Sequence, residues 1–412
     1  MRKKKTHTTV DHLFRQEYGK LISYLTAKFG ASHIDIIEDA VQDALYKAMQ
    51  LWSYQDTPKE PGKWLYRTAH NSIIDVLRRH SKSIGITTTA LPLELTTITE
   101  EFSLPSDIED EQLKMIFACC HPALKETEQI MLSLKLLCGF SNQEIARALF
   151  KESEAVKKAI TRAKQKFKTK IGELALPTNA EITNRLDAVL KVVYLLFNNG
   201  YTAYDGDSVL KKEVCEDAIR LVGLLYENES TSSPKTKAVF ALMCFNFSRF
   251  DARVDSNGNL MTLKFQDRSF WDTDLIELGL LFLNQSASGK ELSSYHLEAG
   301  IAREYVISKD FESIDWKEIL NLYDLLLLNT NNTSVALNRL VVLEKIEGHD
   351  IALSELNKLE ESNYLKNHLY YAIKGDFEKK SNNPIYKTTL EKAISLTQNQ
   401  KEKDFLTLKI SN

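Results

Sequence analysis

Apolar residues recur at three- and four-residue steps along most of this chain, the spacing of one face of a helix. Ile34, Ile37, Val41, Ala44, Leu45, Ala48, Met49 and Trp52 predict an amphipathic helix over 34–52. After the polar loop Ser53 to Gly62, the residues Leu65, Ala69, Ile73 and Val76 predict a second helix from Lys63 to about His80. Further on, Ser141 with Glu144 three residues later is a capping box, opening a helix whose apolar face is Ile145, Ala146 and Leu149. A short break at Lys151-Glu152-Ser153 leads into another helix with Val156, Ile160, Ala163 and Phe167 inward. Helix, short turn, helix is the helix-turn-helix arrangement. From about residue 180 the pattern becomes pairs of amphipathic helices without an exact period. Trp316 to Leu328 pairs with Ser334 to Glu347, and Ile351 to Leu359 with Tyr364 to Ile373, joined at Gly348-His349-Asp350. Such hairpins bury too little alone and are expected to stack into a solenoid, whose concave face either binds a peptide or another domain or is purely structural.

Composition sharpens this picture. With 412 residues, the chain is long for one core, and only 8 Pro and 15 Gly interrupt it, so an all-α, multidomain fold is expected. The segment 83–106, rich in Thr with Pro92 and Pro105, reads as an irregular linker. It separates a block at 10–82 from one at 107–175, and a helical extension fills 181–412. Cys119, Cys120, Cys138, Cys215 and Cys244 lack paired spacing and sit in apolar settings, which suits buried thiols in a reducing compartment. No signal peptide and no apolar run of membrane length is present, so a cytoplasmic protein is expected, with no membrane partner. No metal or cofactor motif, Gly-rich phosphate loop or nucleophile elbow appears, and an enzyme is not expected.

The charge of −3 is unevenly spread. Between Ser141 and Gly172 nine bases face three acids, a local charge of +6, which is an electrostatic footprint for nucleic acid. In the helix-turn-helix geometry Lys157, Lys158, Thr161 and Arg162 enter a major groove, with Lys164, Lys166 and Lys168 near phosphates. On the 34–52 helix, Asp35, Asp39 and Asp43 lie four apart beside Glu38 and Gln42. That stripe is either a solvated face or a docking surface for a basic partner. On the next helix Trp64, Thr68, Asn71, Asp75 and Arg78 line one side, flanked by Lys63, Arg67 and Arg79. The ring suits stacked bases of melted DNA or simple packing within the domain. Gln266-Asp267-Arg268-Ser269-Phe270-Trp271-Asp272 reads either as a catalytic pocket or as a buried salt-bridge network. In the second reading Asp267 or Ser269 starts the following helix.

The runs Ile37-Glu38-Asp39-Ala40-Val41-Gln42-Asp43-Ala44 and Pro61 to Arg79 resemble the core-binding and promoter-melting helices of region two of bacterial sigma factors. Gly139 to Phe167 is similar to region four, and the order matches the extracytoplasmic-function class. Beyond 180, Tyr194 to Tyr201, Gln266 to Asp272 and Ala336-Leu337-Asn338-Arg339 resemble segments of the subgroup with a long C-terminal extension that ends in tetratricopeptide-like (TPR-like) repeats, which implies an extension that serves regulation and offers its repeats to a protein partner. The resemblance implies that Asp35, Glu38, Asp39, Gln42 and Asp43 dock on core RNA polymerase. It places Gln55, Lys63, Trp64, Arg67, Asn71, Arg78 and Arg79 on the −10 element, with the loop Gln55 to Gly62 holding a flipped base. Lys151, Ser153, Lys157, Lys158, Thr161, Arg162 and Lys164 fall on the −35 element of promoter DNA. Many relatives carry Arg-Ser where this chain has Lys157-Lys158, and lysine lacks the planar fork of arginine, so readout there is expected to differ. The competing reading is an operator-binding regulator with a partner-sensing repeat domain, which leaves the residues before Lys82 without a role.

Overall fold

A computed structural model describes residues 17–411 apart from 84–104, 150, 173, 202–211, 256–260, 331, 360–363, 366 and 398–399. Every regular element among them is helical. The chain divides into two compact units. The first comprises residues up to Gly200 together with Lys211–Ser232, and the second Tyr201–Leu210 with Ser233–Asn412.

The first unit begins with a helix over 17–29 (α1), then α2 (Ile34–Trp52) and α3 (Pro61–Ser83). All but one of the apolar positions predicted for α2 are buried, Met49 being half-buried. The helix packs along α3 through Leu65, Ala69 and Ile73. Of the linker expected over 83–106, residues 84–104 lie outside the described residues. Its ends are helical, with Ser83 closing α3 and Pro105 opening α4 (Pro105–Cys119). Pro suits that first position, where its missing N–H has no partner to lose. Then follow α5 (Glu126–Leu136), α6 (Asn142–Ala148) and α7 (Ser153–Lys170). The capping box at Ser141 forms in both directions: Ser141 N–H donates to Glu144 Oε2 at 2.9 Å, and Glu144 N–H to Ser141 Oγ at 3.2 Å. On α7 the buried residues are Val156, Ile160, Ala163 and Phe167, as the spacing predicts.

The next two helices, α8 (Asn179–Tyr201) and α9 (Lys212–Glu227), stand at the start of the expected extension, yet the first unit contains α9 and all of α8 but its last residue. Lys191 pairs with Glu126 at 2.5 Å, and Arg220 donates to the buried Gln112 side-chain oxygen at 2.7 Å. All five cysteines of the chain are free and buried.

The second unit carries α10 (Pro234–Phe247), α11 (Thr273–Ser286), α12 (Ser294–Ile307) and α13 (Trp316–Thr330). It continues with α14 (Thr333–Glu347), α15 (His349–Asn357), α16 (His368–Lys380), α17 (Tyr386–Leu396) and α18 (Gln400–Ser411). From α12 onward each helix packs on its successor, as stacked hairpins require. Helix α14 shows why no pair stands alone. Its Val342 closes a core with Leu297, Ile301 and Ile319, whereas Leu337 and Leu340 close another with Leu356, Tyr370 and Phe377. The junction at Gly348 (φ +86°) is as sharp as expected, with α15 starting at the next residue. The later partner helix begins at His368, capped by the Asn367 side chain, rather than at Tyr364.

The salt-bridge network expected within 266–272 does not form. Asp267 caps a short 3-10 turn and Asp272 caps α11, each accepting a backbone N–H, while Arg268 turns to backbone carbonyls. Asp272, not Asp267 or Ser269, therefore starts the helix.

Candidate nucleic-acid interface

Two helices of the first unit carry most of the site residues, and each has two polar faces with different partners. On α7, Lys157, Lys158, Thr161 and Arg162 are exposed, as are Lys151 and Ser153 just before them. The three lysines expected near phosphates are otherwise engaged. Lys166 grips Glu128 at 2.7 Å, Lys168 pairs with Asp35, and Lys164 reaches both Asp35 (3.3 Å) and Glu38. Lys164 thus lies away from the exposed set of its helix.

The acidic stripe of α2 divides in the same way. Asp39, Gln42 and Asp43 face outward. Glu38 is only 3% exposed and sits between Lys164 and Lys135, the latter at 3.3 Å. Burial alone would raise the Asp35 carboxyl, but the ammonium groups of Lys168 and Lys164 hold it below its ordinary value. Burial would lower Lys164, and Glu38 with Asp35 more than reverse that. Asp39 is pushed up by burial and by Glu38 beside it, against the weaker pull of Lys164. Backbone approach supports the same contact: a Cβ on Gly19 of α1 would run into the Leu137 carbonyl oxygen, and Gly139 lies against the Tyr18 ring.

On α3, Arg67, Asn71, Arg78 and Arg79 are exposed, and Lys63 pairs with Glu60 at 2.7 Å. Trp64 is half-buried, its ring 5.4 Å from that of the buried Trp52, so it packs within the domain and still presents an edge to solvent. Gln55 is exposed in the preceding loop. Beside it Tyr54 is 87% exposed, an aromatic the helical spacing could not single out because it stands in a polar loop outside any stripe. Among the described residues no cluster of His, Cys, Asp and Glu is placed to hold a metal, and no helix is long and apolar enough to cross a membrane.

Comparison with known families places these helices. Residues 13–83 match Sigma-70 region 2 and residues 114–167 match Sigma-70 region 4. The chain belongs to the sigma-70 family. Residues 185–287 match a family of unknown function, DUF6596. An uncharacterised protein of Rhizobium meliloti (strain 1021) is 30% identical over 402 residues, covering 96% of this chain and 93% of its own length. RNA polymerase sigma factor YlaC of Bacillus subtilis (strain 168) is 26% identical over 172 residues, 40% of this chain and 92% of the relative. No solved structure matches. This is a promoter-recognition sigma factor of the extracytoplasmic-function type with a C-terminal extension, and its two sigma regions are the α1–α3 and α4–α7 blocks. An operator-binding regulator would leave the region 2 match unexplained.

Proposed function

We propose that this sigma factor docks on core RNA polymerase through the outer edge of α2, opens promoter DNA with the face of α3, and reads the −35 element with α7. The observation that supports the reading is the division of α7: Lys157, Lys158, Thr161 and Arg162, expected in the major groove, stay exposed while Lys164, Lys166 and Lys168 are tied to carboxylates. Asp39, Gln42 and Asp43 form the part of the docking stripe open to a partner. Asp35 and Glu38 join it only when Lys164 and Lys168 let go, so docking exchanges an internal set of ammonium groups for the polymerase's own. On the DNA side Trp64 and Tyr54 supply rings for unstacked bases, Asn71 an amide for base edges, and Arg67, Arg78 and Arg79 charge for phosphates. Regulation runs through the extension, whose stacked hairpins offer a face to a protein partner. The protein works in the cytoplasm and catalyses no reaction of its own.

Run-off transcription with purified core polymerase tests this. Promoter-dependent transcript is expected from the full chain, reduced by Asp39→Arg with Asp43→Arg in parallel with core binding. Trp64→Ala should impair opening more than core binding. A full chain that neither binds core nor initiates on any promoter of a genomic library would overturn the reading.

A further inference from the structure

Two arginines of the second unit, Arg249 and Arg268, make no ion pair of the kind that settles Lys164 among the described residues. Arg249 is 9% exposed, and its guanidinium donates to the Tyr201 hydroxyl and the Asn246 side-chain oxygen, both at 3.2 Å. Its Nε has no partner. Arg268 donates through Nη1 to the carbonyls of Tyr305 and Ser308, and its buried Nη2 has no partner. Between the two stands Trp271, 7% exposed, with the Arg268 guanidinium 4.2 Å and that of Arg249 5.9 Å from its ring centroid. The Trp271 indole N–H is unpartnered as well. Arg253 stacks 3.6 Å over the Tyr201 ring and donates to the Tyr201 carbonyl at 2.6 Å.

Part of this arrangement is structural. Arg253 and Arg268 donate to carbonyls at the C-terminal ends of α8 and α12, where the helix dipole favours a cation. That accounts for one edge of each guanidinium. It leaves Arg249, whose partners are neutral, and it leaves three buried donors, one on each of Arg249, Arg268 and Trp271, around a single ring. Two cations kept this close, one nearly buried and neither ion-paired among the described residues, repel each other unless an anion stands between them. Asp310 acts on Arg268 from a distance and makes no ion pair with it.

We propose that Arg249, Arg268 and the Trp271 N–H form a binding site for a small oxyanion, a phosphate or carboxylate group with two oxygens to offer. Guanidinium forks match such an edge, and the indole N–H supplies a further donor. The half-buried Arg268 brings the cluster to the surface, where the anion enters. The assignment is independent of promoter recognition, since every residue in it belongs to the second unit.

The experiment is a thermal-shift and calorimetric titration of the full chain with inorganic phosphate and with succinate, each against sodium chloride at equal ionic strength. The midpoint is expected to rise saturably with at least one of the two anions and not with chloride. The responding anion fixes the class. Trp271→Phe keeps the ring and removes only the N–H, and it should weaken that anion's affinity by about tenfold, the loss of one good hydrogen bond. Arg268→Gln should abolish the response; should that variant not fold, Trp271→Phe alone decides. No saturable shift with either anion, or equal affinity in the wild type and in Trp271→Phe, overturns the site.

Discussion

A carboxylate with as little water around it as Glu38 needs cations on more than one side, and Lys135 and Lys164 provide them. Lys164→Met keeps the length of the stem and removes one cation from a buried group. The expected cost is about 2 kcal/mol in chemical unfolding, because Glu38 keeps only Lys135. Lys157→Ala, on the exposed face of the same helix, should stay within about 0.5 kcal/mol of the parent. Its effect belongs to DNA: with Arg162→Ala it should flatten the plot of log affinity against log salt by about 1 per residue. The contact also has a pH window. Asp35 is depressed, so its contribution is complete above the ordinary aspartate value and lost as pH falls through its own lower one. Lys164 is raised, so its contribution holds below the ordinary lysine value and fails as pH rises through its own higher one. Distance labels on α2 and α7 should report a flat plateau between these limits and separation beyond them. None of this was legible in the acidic stripe. Spacing shows that Asp35, Asp39 and Asp43 share a side of one helix, but the lysines that draw Asp35 and Glu38 inward lie roughly a hundred residues or more away in the chain.

At the level of elements, α2 and α7 were readable because their apolar positions repeat at helical steps over many residues and caps mark α6. Boundaries needed local geometry that periodicity does not carry. Asp272 starts α11 because its carboxylate reaches the Leu275 N–H, and Asp267 and Ser269 nearby offered the same capping chemistry. The close approach of α1 to residue 137 was equally hidden. Gly19 looks like a mid-helix glycine, a residue that ordinarily weakens a helix by about 1 kcal/mol. Here it is required, since a methyl group would meet a backbone carbonyl that cannot turn away. Gly19→Ala should therefore part the region 2 and region 4 blocks while leaving α1 helical. Hydrogen exchange is expected to rise at the amides of 137–140 and in α7. Affinity for core polymerase should rise with it, since Asp35 and Glu38 are then released. Unchanged exchange would show that the blocks yield locally and that Gly19 does not hold them together.

For the whole molecule, the compact units and the family segments do not share a boundary. DUF6596 similarity begins at 185, but α9 and nearly all of α8 complete the first unit, and the Thr231 hydroxyl, buried and bonded to the Leu225 carbonyl at 2.5 Å, ties down the chain after α9. A truncation meant to isolate the sigma regions therefore depends on where it falls. Cut after Ala180, the chain loses Arg220 from the fully buried Gln112 and Lys191 from Glu126. It also loses the apolar faces of both helices, among them Val189, Leu190, Val193, Leu221 and Leu225. Each large side chain taken out of water contributes about 1.5–3 kcal/mol, so the shorter fragment should melt well below the full chain, broadly, and with a tendency to aggregate. Cut after Ser232, the first unit keeps all of these and should melt cooperatively. Circular dichroism on the two fragments checks this directly. The consequence reaches function: inactivity of the shorter fragment in transcription would report a damaged fold, whereas activity or silence of the longer one reports what the second unit does. If both melt alike, α8 and α9 are not part of the sigma core, and control by the extension begins at residue 181.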